Sequence, residues 1–114
     1  MVKLSDAAVN ILLALAGGER HGYDIMQTVT GDTGATLGPT TLYRTIRTLV
    51  ERGLVEESDQ RPAPDLDDQR RRYYRLTAAG VSVAAAEVER LRRLLALAER
   101  TERGLRPARH GVAG

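Results

Sequence analysis

The chain has 114 residues, 42% of them apolar and 28% charged, with a formal net charge of +2, which suits one modest hydrophobic core rather than two. It has no cysteine, so disulfides and thiolate metal ligands are excluded, and no run of about 18 apolar residues that could span a bilayer. The charge is polarised: Gly38–Gly53 together with Arg70–Arg75 carries seven arginines against Glu51, a balance of +6, while the other 10 basic and 14 acidic residues leave −4.

Such a division is the footprint expected of a chain that meets a polyanion. A signal peptide fits poorly, because Lys3 is the only basic residue before an apolar run that Asp6 and Asn10 interrupt; a cytoplasmic location is expected.

In chain order, Leu4–Ala16 reads as a first helix, apolar on most sides and therefore central, with Ser5 as N-cap and Gly17-Gly18 as its stop. Glu19–Gly31 reads as a shorter second helix, with Ile25, Met26 and Val29 facing inward and Gly31 and Gly34 ending it. The third helix starts at Pro39, which suits a first turn, behind Gly38 as cap, and Gly53 closes it. Along it Leu42, Ile46, Leu49 and Val50 form an apolar stripe, while Thr40, Arg44, Arg47 and Glu51 line the opposite side and Tyr43 the flank.

"LVEES" and "RRYYRL" read as two short strands of a hairpin whose tip holds two prolines and four aspartates. Strand alternation sends Arg71 and Arg75 to one face and Arg70 and Arg72 to the other, and puts one of Tyr73 and Tyr74 in the core. One of these arginines is a candidate partner for Asp65, Asp67 or Asp68 in the tip. Thr77 is a good cap for a final helix from Ala78 to about Arg103. Val81, Ala84, Val88, Leu91, Leu95 and Ala98 recur at alternating spacings of three and four, the seam of a coiled coil, and Leu94 and Leu97 widen it. Glu89–Arg93 and Glu99–Arg103 are expected ion pairs on the wet side. Leu105 onward, punctuated by proline and glycine, is expected to be a disordered tail.

Three helices followed by a two-stranded hairpin is the order of a winged helix, mainly α with a small β element. The expected organisation is a winged-helix domain over 1–76, a dimerisation helix over 77–104 and a tail over 105–114. In that fold the third helix buries its apolar stripe and offers its outer face to a DNA major groove. Arg44 and Arg47 are then the candidates for base edges, because a guanidinium donates two bonds to guanine. Thr40 and Thr41 are short enough to bring backbone and hydroxyl to phosphate, and Tyr43 would donate from the flank. Arg70, Arg71 and Arg72 are the candidates for backbone phosphates beside the groove. The blander alternative is that these arginines only solvate a surface.

"HGYDI" (His21–Ile25), "PTTLYRTIRTLVERGLV" (Pro39–Val55) and "RRYYRLTAAG" (Arg71–Gly80) together resemble the PadR family of bacterial transcriptional regulators, in its short form with one C-terminal helix. The resemblance runs from about Leu4 to Arg103. It implies a winged-helix DNA-binding domain, a dimer built by the last helix through Val81, Ala84, Val88, Leu91, Leu94, Leu95 and Ala98, and repression relieved by a small molecule. Some short members bind flat aromatic drugs in a pore lined by tryptophan; this chain has no Trp or Phe.

Neither a cofactor nor a metal is expected. His21 and His110 are the only histidines, too few for a ligand set, and His21 reads as a helix-start residue bonding local backbone. No nucleophile, base and orienting group assemble, so an enzyme is not expected. Two functions remain: a homodimeric DNA-binding repressor on an inverted repeat, or a winged-helix module for protein assembly whose arginines meet an acidic partner.

Overall fold

The computed structural model describes residues 3–58 and 72–105. Its elements are α1 (Asp6–Ala16), β1 (Arg20–His21), α2 (Gly22–Thr33), α3 (Pro39–Glu51), β2 (Val55–Glu57), β3 (Tyr73–Leu76) and α4 (Ala78–Leu105). Two compact units divide the chain, one ending at Ala84 and the other beginning at Ala85. The first therefore takes in the opening of α4, eight residues past the position 76 at which the winged helix was expected to end.

Within the first unit α1 packs against α2, α3 and β3. Ala8, Val9, Ile11, Leu12, Ala14 and Leu15 are all buried, so the apolar first helix is central, as its composition predicts. Ser5 caps it by accepting from the Ala8 N–H at 3.1 Å. The second helix overruns Gly31 and ends at Gly34, which adopts φ 76° and donates its N–H to the Thr30 carbonyl. The left-handed conformation, which a β-carbon disfavours, is needed at residue 34 and not at residue 31. Ile25 and Val29 are buried as expected, whereas Met26 is only half-buried.

Leu42, Ile46 and Leu49 bury the inner side of α3. Val50, expected in the same stripe, is 42% exposed. At 100° per residue it lies about 80° around the helix from Leu42, whereas Leu49 lies within about 20°. The helix ends in a Schellman turn: the Gly53 N–H donates to Val50 and the Leu54 N–H to Leu49, with Gly53 at φ 76°.

The sheet is three-stranded and antiparallel in the order β1-β3-β2, not the two-stranded hairpin expected. Val55, Glu56 and Glu57 face Leu76, Arg75 and Tyr74, and Arg20 and His21 face Tyr74 and Tyr73 from the other edge. Tyr74, in the central strand, is the tyrosine that enters the core. Burial, and then the negative charge of Glu57, raise its phenol above the ordinary value, against an opposing pull from Arg72.

Thr77 caps α4, accepting from the Gly80 N–H at 3.0 Å while its hydroxyl donates to the Gly53 carbonyl. Gly80 is buried in the first turn, and a β-carbon there would overlap the Leu54 carbonyl oxygen. Alanine normally improves a helix by about 0.8–1 kcal/mol over glycine. At Gly80 the clash with backbone reverses the sign, and thermal unfolding is expected to show a net loss of about 1–3 kcal/mol. A melting temperature equal to or above that of the parent chain would rule out this packing.

The ion pair that forms along the last helix is Arg90–Glu87 at 2.9 Å, not the expected Glu89–Arg93 or Glu99–Arg103. Exposed pairs contribute only a few tenths of a kcal/mol, about what ordering two long side chains costs. Leu105 is still helical, and the rest of the expected tail lies outside the described residues.

Candidate nucleic-acid interface

The amphipathic pattern of α3 fixes what it shows to the outside. With Leu42, Ile46 and Leu49 turned into the core, Thr40, Arg44, Arg47 and Glu51 are exposed and Thr41 is half-buried. Among the described residues no hydrogen bond or ion pair engages the Arg44 or Arg47 guanidinium. Two unpaired cations thus stand one turn apart on a helix held from behind.

The start of α3 differs from the other helix starts in this unit. Ser5 caps α1, with Asp6 in the first turn, and His21 caps α2, with Asp24 in the first turn. The α3 cap is Gly38, which has no side-chain bond to give; Pro39 follows, and the first turn has no acidic residue. Its partial positive charge and free N–H groups, with Thr40 and Thr41 beside them, are left uncompensated, which favours an anion there.

The remaining predicted residues are placed differently. Tyr43 is partly buried against the core, and its ring lies over Gly22, where an added β-carbon would stand 2.7 Å from the hydroxyl oxygen. Tyr43 therefore has a packing role beside its place on the flank of α3. Arg72 is exposed just before β3, and its carbonyl accepts the Gly22 N–H. Arg70, Arg71 and the acidic tip lie outside the described residues. Arg75 bonds Glu56 across the strands at 2.8 Å and approaches Glu19 at 3.9 Å. The pairing expected of one wing arginine with a tip aspartate falls outside the described residues; within them Arg75 meets a glutamate on the neighbouring strand.

Arg20 is structural too: it donates to the Ala14 carbonyl at 2.9 Å and to Asp24 at 3.1 Å, joining the end of α1 to the start of α2. His21 accepts from the Asp24 N–H through Nδ1 at 3.0 Å, the local backbone bond its position implied. Among the described residues no three His, Cys, Asp or Glu side chains gather as a metal site, and no helix is long and apolar enough to cross a membrane.

In the unit beginning at Ala85, Leu94, Leu95 and Leu97 are each more than half exposed, Ala98 is exposed, and Val88 and Leu91 are half-buried. Val81, in the first unit, is exposed. Ala84 is buried at 4% exposure inside the first unit. It has no surface left for a second chain, which corrects its place in the predicted seam.

An arginine-faced third helix in a winged-helix order can be compared with known proteins, and the Transcriptional regulator PadR-like family matches residues 11–86, more than half of the chain. The chain belongs to the PadR-like family. As a PadR-like protein it is a winged-helix transcriptional regulator and not an enzyme, and its family points to DNA as its partner. RosR of H. salinarum is 28% identical with a TM-score of 0.66, covering 97% of this chain and 96% of that one. A PadR family transcription regulator from Clostridium difficile R20291 is 18% identical with a TM-score of 0.69, over 84% of this chain and 97% of that one. ZitR of Lactococcus lactis shares the fold at 20% identity and a TM-score of 0.72, over 98% of this PadR-like chain and 69% of its own. No curated protein matches the chain.

Proposed function

We propose that the chain is a homodimeric, sequence-specific repressor that acts in the cytoplasm on an inverted-repeat operator, with a small-molecule effector relieving repression. The observation that carries this reading is the pair Arg44 and Arg47, exposed on α3 without a partner among the described residues. Cations on a rigid helix with nothing to neutralise them suit guanine O6 and N7 in a major groove. Thr40, Thr41 and the uncapped start of α3 take a phosphate, and Arg70, Arg71 and Arg72 reach the neighbouring backbone.

The dimer rests on the leucines of α4. Leu94, Leu95 and Leu97, exposed along one helix, are a surface that needs a cover, and a second copy supplies the same stripe. A two-fold pair sets its half-sites about 10–10.5 bp apart, or a multiple of it.

Selection of duplexes from a random-sequence pool by the purified chain tests this directly. Enrichment of one inverted repeat with that half-site spacing is the expected result. Recovery of unselected sequence would reject the repressor and leave an assembly module that uses its arginines on an acidic protein.

A further inference from the structure

The backbone at Gly22 joins three parts of the interface. Its N–H donates to the Arg72 carbonyl at 3.2 Å, immediately before β3. His21, one residue earlier, pairs in register with Tyr73 and sets its ring edge-on to that tyrosine, with centroids 5.5 Å apart. On the other side Gly22 lies under Tyr43 of α3: a β-carbon at Gly22 would stand 2.7 Å from Oη, 2.8 Å from Cε1 and 3.1 Å from Cζ, where ordinary contact begins at 3.4 Å. Among the described residues the glycines with positive φ are Gly18, Gly34 and Gly53 and not Gly22, so the backbone of Gly22 would accept alanine. What a methyl group there would meet is the tip of the Tyr43 ring.

We propose that Gly22 and Tyr43 are positioning residues for DNA discrimination: their contact sets α3, with Arg44 and Arg47, against the strand that follows Arg72. The inference rests on the function proposed above. A recognition constellation has to be held within about 0.5 Å, and a methyl group on Gly22 forces the ring back by several tenths of an ångström. Tyr43 lies between the buried Leu42 and Arg44 and packs against the core, so in this proposal a ring pushed at its tip is backed by the core and passes the displacement to the helix that carries both arginines.

The test uses the full chain as parent, Gly22→Ala, Tyr43→Ala and the double variant. Each is titrated against the duplex that the parent enriches from a random pool and against an unselected duplex, with thermal midpoints measured alongside. Gly22→Ala is expected to lose roughly tenfold in affinity for the selected duplex, within the range for substitutions that touch no ligand. Binding to unselected duplex and its salt dependence should stay unchanged, which general loosening of the fold would not produce. In the Tyr43→Ala background the methyl meets no ring, and adding Gly22→Ala should change affinity less than twofold. Should Gly22→Ala fail to fold, Tyr43→Leu removes the ring while keeping apolar filling, and its loss on the selected duplex is expected to exceed its loss on the unselected one.

Gly22→Ala binding the selected duplex as the parent does would overturn the positioning role alone. An equal loss from Gly22→Ala with and without Tyr43 would overturn the contact as its cause. A parent that enriches no sequence would overturn the proposed function, and this inference with it.

Discussion

Alanine at both Arg44 and Arg47 is expected to abolish sequence-specific DNA binding and leave the fold intact. Each guanidinium that donates two bonds to guanine contributes about 1–3 kcal/mol of discrimination. The two side chains lie one turn apart, so their losses are expected to combine into a change of roughly 1.5 to 4 orders of magnitude in the ratio of operator to random-duplex affinity. Stability should hardly move, because both side chains are exposed and have no partner among the described residues; surface changes of this kind stay within about 0.5 kcal/mol. Titration of selected and random duplexes, beside a thermal melt, separates the two effects. Unchanged operator affinity in the double variant would remove α3 from the groove.

Glutamate at both Leu91 and Leu95 is expected to convert the proposed dimer to monomer. Neither residue belongs to the core cluster of the first unit. A carboxylate in an apolar seam has no counter-charge, and burying it unpaired costs several kcal/mol per group. Sedimentation should report one chain per particle, and a dimer intact in the double variant would dispose of the seam. Operator affinity should fall with it, by about 10²–10⁴, since each half-site then binds without the effective concentration supplied by its twin.

The helices were legible because their stripes follow one period over many residues. For α3 the spacing of Leu42, Ile46 and Leu49 was enough to place Arg44 and Arg47 outside. The caps at Ser5, His21 and Thr77 were legible because the side chains that satisfy a first turn are few. What stayed hidden depends on distant partners. Arg20–His21 is too short to carry an alternating pattern, and it is a strand only because Tyr73 and Tyr74 pair with it. Likewise, nothing near Arg75 in sequence identifies Glu56, 19 residues away, as its partner.

The errors on helix faces and ends have the same origin. Val50 belongs to the α3 pattern by spacing but sits at its edge, where packing and not periodicity decides exposure. Gly31 and Gly34 are equally good breakers on paper; the turn into α3 selected Gly34. Ala84 fits a seam, yet small size also lets it fill the core of its own domain. The contact between Gly22 and Tyr43 joins two helices, and no local signal marks it.

The most direct measurement is methylation interference on the selected operator, in which guanine N7, on the major-groove edge, is modified before binding. Modification is expected to block the parent chain at guanines in both half-sites about 10 bp apart, and Arg47→Ala should become indifferent to one guanine in each half. Free binding to duplexes methylated at every guanine N7, with interference confined to the minor groove, would contradict a recognition helix that faces outward to read DNA.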